Sequence, residues 1–386
     1  MQGKSRLSVV VLSIVVLLLL TLSLTVQAQD GSAAGQSGAQ VEALANGTTR
    51  VTASSGQQQA AVTFWTHEQL AAARPMEMPS AIAPRPPRTS GRQPVFSAGQ
   101  TAAGGAAAAG ADAAAQAAYP QDWAMLDSAA MADSPAAADG TSQIYTSYVV
   151  NKLAALWKTT GHKPTGRLSF STPSGTSYCS ASVVSGRNII VTAAHCVYDT
   201  PSRNQFYSNW VFTPAYRNGA APYGTFPAQT CWVLTSWVNL SGSYSINTWA
   251  DDDVAVCQMG NNSKGQALSN ITGWYGRTWD AGYVQHVHNM GYPFNNYQNN
   301  SVTDAGKYLR LCANETFQQA TDVLGGGCNW GPGISGGPWT ISYDPFDPVT
   351  TYVASVNSGL FIGTQNLYGA RFTSGNIVTL CNAAGC

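Results

Sequence analysis

The chain has 386 residues, with 19 basic and 19 acidic side chains and a formal net charge of +0. This balance excludes binding to nucleic acid or another polyanion through a general electrostatic attraction. Charged residues make up only 10% of the chain, well below the usual proportion. Ser, Thr, Asn, Gln and Gly must therefore cover much of the surface, which suits an extracellular protein.

The first residues have the pattern of a secretory signal peptide. Lys4 and Arg6 precede an apolar run over residues 9–26, and small residues follow at a plausible cleavage point. Residues 1–28 are therefore predicted to be a signal peptide, and the mature protein is predicted to be secreted and extracellular. The alternative is an uncleaved membrane anchor, because the run approaches the roughly 20 residues that span a bilayer.

Residues 29–140 are low in sequence complexity. The segment 71–94 is rich in Pro and Arg, and 98–118 is almost entirely Ala and Gly. Such segments bury too little apolar surface to offset the entropy of ordering. We predict a propeptide plus linker, with one short amphipathic helix at 62–73. A spacer between a membrane anchor and a domain is the alternative.

From residue 141 the pattern changes, and residues 141–386 are predicted to form one domain. Residues 147–158 have helical spacing, but brief runs rich in Val, Ile, Thr and aromatic residues follow them. Many short strands without a long helical repeat predict an all-β sandwich or barrel. The clearest runs are GRLSFST, CSASVVS, NIIVTAAHCV, DDVAVCQM, QHVHNMGYP, GGPWTISY, TYVASVNSGLF and YGARFTSGNIVTL.

The eight cysteines all lie in this second part of the chain. An even number in an exported protein predicts a disulfide framework, although the count alone leaves the connectivity open. There is no C-x-x-C pair, and only five histidines are present, so no metal site is predicted. The cysteines are Cys179, Cys196, Cys231, Cys257, Cys312, Cys328, Cys381 and Cys386.

Three motifs contain candidate catalytic residues. His195 ends the apolar run NIIVTAAHC. Asp253 directly precedes the apolar residues VAV, which favour its burial, whereas Asp251 and Asp252 are expected in a solvated loop. A buried aspartate needs a partner, and a histidine N–H is a suitable one. Ser335 lies in GPGISGGPW, where the glycines permit a tight turn.

These motifs resemble a known family. TAAHC, DVAV and GISGGP, in the order His, Asp, Ser, are similar to the chymotrypsin/trypsin family of serine endopeptidases. CSASVV, VTAAHCV and MGYP resemble, more narrowly, its bacterial glutamyl-endopeptidase-like branch. The resemblance covers about residues 160–380. It implies an all-β fold of two antiparallel Greek-key β-barrels (chymotrypsin-like), with barrel one at about 165–260 and barrel two at about 265–380.

The resemblance also implies the chemistry. His195 and Asp253 on barrel one and Ser335 on barrel two would form a catalytic triad that hydrolyses peptide bonds through an acyl-enzyme. The backbone N–H groups of Gly333 and Ser335 would form the oxyanion hole. The expected partners are protein or peptide substrates, with no cofactor. A monomer is expected, without stable membrane association once the signal is cleaved.

The resemblance places Asn329 at the base of the primary specificity pocket, where trypsin-like members have an aspartate, so a preference for Lys or Arg is not expected. It places Ser355, Val356 and Asn357 on the substrate-binding strand. That strand lacks the histidine of glutamate-specific members, and a neutral or polar substrate side chain is therefore predicted. Ile334 precedes the serine where many zymogens need an aspartate, so activation is expected to depend on release of the prosegment.

The disulfide pairing follows in part from the resemblance, which implies Cys179–Cys196. Short spacing predicts Cys312–Cys328 and Cys381–Cys386, which leaves Cys231–Cys257.

Three other functions are alternatives to this one. GISGG matches the nucleophile turn of α/β-hydrolases, but their histidine follows the serine, and the last histidine here is His288. A subtilisin order needs an aspartate before His195 on a parallel α/β sheet, and that pattern is missing. A catalytically silent protease homologue that acts as a binding module is the remaining alternative.

His286 and His288 are expected to be structural, and His67 and His162 to face solvent.

Overall fold

The computed structural model describes residues 39–82, 98–126, 145–150, 161–200, 203–240, 246–295 and 305–386. The predicted signal peptide lies outside these ranges. Within them, no helix is both long and apolar enough to cross a membrane.

The N-terminal region contributes short strands and helices that precede the barrels. These are β1 (Gln40–Ala43), β2 (Thr48–Thr52), α1 (Ser55–Phe64), α2 (His67–Ala72), β3 (Arg74–Pro75), β4 (Ser80–Ile82), β5 (Gln100–Ala102), α3 (Ala111–Ala118), α4 (Pro120–Leu126) and β6 (Tyr145–Val149).

Barrel one is a closed antiparallel sheet of six strands in the order β13-β12-β7-β8-β9-β14, which β13–β14 pairing completes. A 3₁₀ turn (Ala194–Cys196) follows β9. The elements of this part are β7 (Thr165–Thr172), β8 (Gly175–Ser185), β9 (Ile189–Thr192), β10 (Tyr198–Asp199), β11 (Gln205–Phe206), β12 (Ser208–Pro214), β13 (Phe226–Leu234), α5 (Thr235–Val238), α6 (Ile246–Trp249) and β14 (Ala255–Met259).

Barrel two is a second closed sheet of six antiparallel strands, in the order β19-β16-β17-β18-β21-β20, which β19–β20 pairing completes. Its elements are α7 (Leu268–Thr272), β15 (Gly276–Trp279), β16 (His286–Gly291), β17 (Arg310–Ala320), β18 (Val323–Gly327), β19 (Pro338–Ile341), β20 (Tyr352–Ile362), β21 (Asn366–Arg371), a π-helical turn (Ser374–Val378) and α8 (Thr379–Ala384).

The predicted all-β fold of two antiparallel barrels is confirmed. The strands of barrel one lie within residues 165–260, and those of barrel two lie within 265–380. The apolar residues of the predicted runs fill the interiors, as in β9, where Ile189, Ile190 and Val191 are fully buried. Each sheet closes on itself through the pairing of its two end strands, although parts of β8, β13 and β20 extend beyond these pairings and offer edges to other strands.

The four predicted disulfides are confirmed. Cys179–Cys196 joins β8 to the 3₁₀ turn, and Cys231–Cys257 joins β13 to β14. Cys312–Cys328 and Cys381–Cys386 lie in barrel two and at the C-terminal helix.

The prediction that residues 71–94 and 98–118 do not order is wrong for the part of them that the structure describes. These segments add short strands to barrel edges: β3 pairs with β8, β4 with β20, and β5 with β15. They also contribute α3, whose Ala115 is fully buried. The segments need no core of their own, because the barrels supply hydrogen-bonding edges and apolar surface.

Other elements of the N-terminal region pack on barrel one. β2 pairs with β13, and Trp65, Leu70 and Trp123 are buried in the same large apolar cluster as the barrel interior. The helix predicted at 62–73 is interrupted at Trp65, since Thr66 caps the start of α2.

The helix predicted at 147–158 is not found in the described part. Residues 147–149 end β6, which pairs antiparallel with β17 and buries Tyr145 and Val149. Backbone pairing with a long barrel strand outweighs the helical spacing there. Residues 151–160 lie outside the described ranges.

Candidate active site

His195 lies in the tight 3₁₀ turn directly after β9. The β-branched run of β9 forms an inner barrel strand, and the small Ala193 and Ala194 let the chain turn sharply at its end. The Cys179–Cys196 disulfide ties this turn to β8. The His195 side chain is therefore fixed at the edge of barrel one, where it is only 5% exposed.

Asp253 is the partner of His195. Its side chain is fully buried just before β14, the strand that pairs with β9. Asp253 Oδ1 accepts a hydrogen bond from His195 N at 2.9 Å, and Oδ2 accepts one from His195 Nδ1 at 2.8 Å. Because a carboxylate only accepts, Nδ1 carries the proton and the neutral ring presents Nε2 as an acceptor.

The neighbouring carboxylates are not fully solvated as predicted. Asp251 and Asp252 are both half-buried. Burial, with the Asp252 charge beside it, raises the pKa of Asp251 to about 6, and burial also raises the pKa of Asp252. Neither contacts His195, so Asp253 alone holds the imidazole among these three acids.

Ser335 lies in a tight turn between two glycines with left-handed backbone. Gly333 has φ 98° and Gly336 has φ 76°, and Gly337 N donates to Ile334 O at 2.8 Å to close the turn. A Cβ on Gly336 would lie 2.0 Å from Thr192 Oγ1 and 2.5 Å from Ser180 O. Glycine is thus required both by conformation and by close contact.

This close contact brings the two barrels together at the candidate site. Gly336 follows Ser335, and Thr192 ends the strand that leads to His195. Ser335 is consequently placed at the edge of barrel one that carries the His195–Asp253 pair. Ser335 Oγ and His195 Nε2 are both buried, and neither has a hydrogen-bond partner among the residues that the structure describes.

Ser180 connects β8 to the Ser335 turn and was missed by the sequence reasoning. Its N–H donates to Ser335 O at 2.8 Å, and its Oγ donates to Gly333 O at 2.9 Å. The same Oγ accepts a hydrogen bond from Tyr292 N at 3.0 Å. One small side chain thereby fixes the turn from barrel one. Its position next to Cys179 in the run CSAS was the available signal.

The predicted substrate-binding residues lie on the barrel-two side of the site. Asn329 is buried, and Ser355, Val356 and Asn357 are fully buried. Ser355 and Val356 pair through their backbone with both β19 and β21.

Asn357 takes part in a buried amide network. It exchanges two hydrogen bonds with Asn289, at 2.7 and 2.8 Å, and its Oδ1 accepts one from Trp339 Nε1 at 2.8 Å. Its backbone O accepts from Gly336 N at 2.8 Å. Asn357 therefore supports the Ser335 turn. Beyond Asn357, at Ser358 and Gly359, β20 extends past its pairing with β19.

Three potential metal-ligating atoms lie close together in Cys179, His195 and Cys196. The two cysteines are joined in a disulfide, and their sulfurs are not thiolates. This donor set therefore does not fit a metal ion.

The remaining histidines contact neighbouring side chains. His288 stacks on Tyr343 with ring centroids 4.5 Å apart, and burial, together with His286, lowers its pKa to about 4. His162 is buried and hydrogen-bonded to Tyr343, so the prediction that it faces solvent is wrong. His67 is partly exposed and pairs with Asp122.

Solved structures of several proteases are similar to this chain. Protease Anisep from Arthrobacter nicotinovorans is 28% identical, with a TM-score of 0.47 over 57% of this chain and 95% of its own. A thermostable serine protease, AL20, from an extremophilic microorganism is 23% identical, with a TM-score of 0.46 over 58% of this chain and 99% of its own. A Glu endopeptidase in complex with MPD is 15% identical, with a TM-score of 0.47 over 62% of this chain and 97% of its own.

A scan against models of protein families gives no match, and neither does a search of curated protein sequences. Two closed six-stranded antiparallel barrels are the architecture of the chymotrypsin-like serine proteases, and that is the fold of this chain.

Proposed function

We propose that this protein is a secreted serine endopeptidase, made as a precursor with an N-terminal prosegment, that cleaves peptide bonds through Ser335, His195 and Asp253. The observation that carries the proposal is the pair of hydrogen bonds from His195 to the buried Asp253 carboxylate. They leave Nε2 as the only basic atom of the ring, next to the turn that presents Ser335.

The proposed reaction begins when His195 Nε2 takes the proton of Ser335 Oγ as this oxygen attacks the substrate carbonyl carbon. The C–N bond of the tetrahedral intermediate then breaks, and His195 gives the proton to the leaving amine. A water molecule, activated in the same way, hydrolyses the acyl-enzyme and restores Ser335. Asp253 stabilises the imidazolium in both steps and remains ionised.

Gly333 and Ser335 supply the proposed oxyanion hole. The left-handed conformation of Gly333 and the anchoring of its carbonyl by Ser180 fix the backbone of the turn. Both N–H groups are thus held in place before charge develops on the substrate oxygen, and in such sites one donor contributes about 3 kcal/mol. For the primary pocket, the neutral Asn329 supports preference for a neutral or polar side chain.

Secretion is supported by two independent features. The N-terminal residues have the signal-peptide pattern, and four disulfides pair all eight cysteines. Such a framework persists in an oxidising compartment.

The test uses a fluorophosphonate probe, which reacts with an activated serine. We expect the secreted, processed protein to be labelled at Ser335 and to hydrolyse peptides, and the Ser335→Ala variant to lose labelling and about 10⁶-fold in kcat. Ser182→Ala, a buried serine on β8, is the control and should be labelled normally. A folded, processed protein without labelling would instead favour the silent binding module.

A further inference from the structure

Residues 74–82, here called the strap, cross from barrel one to barrel two. At its start the strap pairs in parallel with β8, and Met76 N donates to Tyr178 O at 2.9 Å. At its end it pairs in parallel with β20, where Pro79 O accepts a hydrogen bond from Leu360 N at 3.1 Å.

Both attachment points flank the Ser335 turn. On β8, Tyr178 is two residues before Ser180, whose N–H donates to Ser335 O. On β20, the strap uses the edge that β19 leaves free, just beyond Asn357, whose carbonyl accepts from Gly336 N. The short connection between Met76 and Pro79 therefore spans the groove in which the proposed nucleophile lies.

One side chain in the middle of the strap, Met78, is buried against barrel two. Met78 is only 8% exposed and belongs to the same apolar cluster as Trp330, Leu360 and Leu367. Trp330 follows Asn329, the residue expected at the base of the primary pocket. Glu77, by contrast, is exposed. Pro79 O also lies 2.4 Å from the position of a Cβ on Gly359, so the strap lies directly against the free part of β20.

The strap runs in the direction opposite to a substrate. His195 protonates the leaving amine, so the amine half of a substrate must lie on the His195 side, which Cys179–Cys196 joins to β8. The acyl half then lies along β20, and a substrate runs from β20 to β8. The strap runs from β8 to β20.

We propose that the strap is a built-in inhibitor that occupies the substrate groove in reverse, with Met78 in the primary pocket. This inference rests on the proposed function and names the regulation of the same site. A reversed chain presents its peptide groups to Ser335 in the wrong order for acyl transfer, so it covers the site without being cut. Release of the strap opens the site, and an unbranched apolar side chain is a suitable occupant of the pocket.

The first experiment compares intact precursors, verified by mass, for the rate of fluorophosphonate labelling at Ser335. Met78→Asp places a charge in the apolar cluster and should displace the strap, and we expect labelling faster by about tenfold or more. Met78→Ala is the milder variant, with an intermediate rate expected. Glu77→Gln, an exposed neighbour on the strap, should match the wild type.

Equal rates for wild type, Met78→Ala and Met78→Asp, with the processed enzyme active, would overturn the strap as an inhibitor while the proposed function stands. No labelling of any form, processed enzyme included, would overturn the proposed function instead.

The second experiment needs no catalytic activity. A synthetic peptide of residues 74–82 should bind processed Ser335→Ala protein in calorimetry, and the same peptide with Met78→Asp should bind at least about tenfold more weakly. Equal affinities of the two peptides would show that Met78 does not occupy the pocket, whatever the labelling result.

The direction of the strap is tested with active processed enzyme. In the wild-type peptide, Pro79 would by itself protect the bond after Met78 from hydrolysis. A 74–82 peptide carrying Pro79→Ala lacks this protection. We expect this peptide to inhibit and to remain intact by mass spectrometry, because its direction is reversed. Cleavage after residue 78 would show that it binds as a substrate and would overturn the reversed orientation.

Discussion

The two halves of the candidate site are held in different ways. On barrel one, side-chain hydrogen bonds fix His195, since Asp253 accepts from both its backbone and its ring. On barrel two, the backbone fixes Ser335, through left-handed glycines and contacts with Ser180. A change of one side-chain atom should therefore disrupt the His195–Asp253 half on barrel one. The Ser335 half on barrel two should respond mainly to substitution of its glycines and of the groups that hydrogen-bond to its backbone.

The largest effect is expected where the barrel-one half loses its carboxylate. Asp253→Asn preserves the volume but offers an amide N–H to His195 Nδ1, which favours the wrong tautomer. We expect kcat on a peptide substrate to fall by about 10⁴-fold with little change in folding. Asp252→Asn is the control and should stay near wild type. A loss below tenfold for Asp253→Asn would mean that the carboxylate does not orient the imidazole.

The barrel-two half is best perturbed at Gly336. An added Cβ would meet Thr192 Oγ1 at 2.0 Å with φ at 76°, so Gly336→Ala should lower the free energy of unfolding by about 3 kcal/mol or more and abolish most activity. Gly363 has a similar φ of 79° with no neighbour within 4 Å, and Gly363→Ala should cost only about 1 kcal/mol. Urea denaturation measures both, and equal losses would show that conformation alone matters.

Ser180 links the two halves, and its removal should have an intermediate effect. Ser180→Ala deletes the hydrogen bonds to Gly333 O and Tyr292 N. We expect a loss of about 1–3 kcal/mol in the free energy of unfolding and a lower kcat, since the turn is less firmly held. Ser182 on the same strand has a buried hydroxyl without a partner among the described residues, so Ser182→Ala should be nearly neutral. Comparable effects of the two substitutions would rule out a positioning role for Ser180.

A smaller effect is expected from pH at His288, which stacks on Tyr343. Its pKa of about 4 in the folded protein is below its ordinary value. The unfolded chain therefore binds this proton first as the pH falls, and the stability present above pH 6.5 is lost as the pH falls from about 6.5 towards 4. His288→Gln should reduce the fall in Tm between pH 7 and 4.5.

The control for this measurement is His286→Gln. It leaves the burial of His288, the larger cause of its lowered pKa, in place. A wild-type fall in Tm would therefore persist in that variant. An unchanged pH dependence in His288→Gln would assign the acid sensitivity to other groups.

The smallest effect is expected at the mature N-terminus. Ile334, before Ser335, is fully buried and apolar, so it cannot accept an inserted ammonium. Mature forms that begin a few residues earlier or later near residues 130–150, or that carry one extra residue, should keep most of their activity on one peptide substrate. Loss of turnover from a single added residue, with folding intact, would show that an inserted terminus orders the turn.

The barrels and the pairing of His195 with Asp253 could be predicted because each depends on local patterns. The apolar run of β9, the VAV after Asp253 and the glycines around Ser335 are all visible within a few residues. The support given by Ser180 could not be predicted so directly, because it depends on contacts between β8 and a turn from the other barrel.

The order within the N-terminal region could not be predicted for a related reason. Composition indicates whether a segment can form its own core, and residues 71–94 cannot. It does not indicate whether another part of the chain offers a free edge. β4 pairs with Leu360 and its neighbours, far along the sequence, and the buried position of Met78 follows from that distant pairing.

The pairing of residues 74–82 with both β8 and β20 constrains the order of folding. This segment leaves the ribosome first, yet its last partner, β20, is among the last strands to be made. Contacts so distant in sequence form slowly because the loop between them must close first. The segment therefore stays unpaired through most of synthesis. Its complete attachment requires both barrels to be packed together, as does the close contact between Gly336 and Thr192.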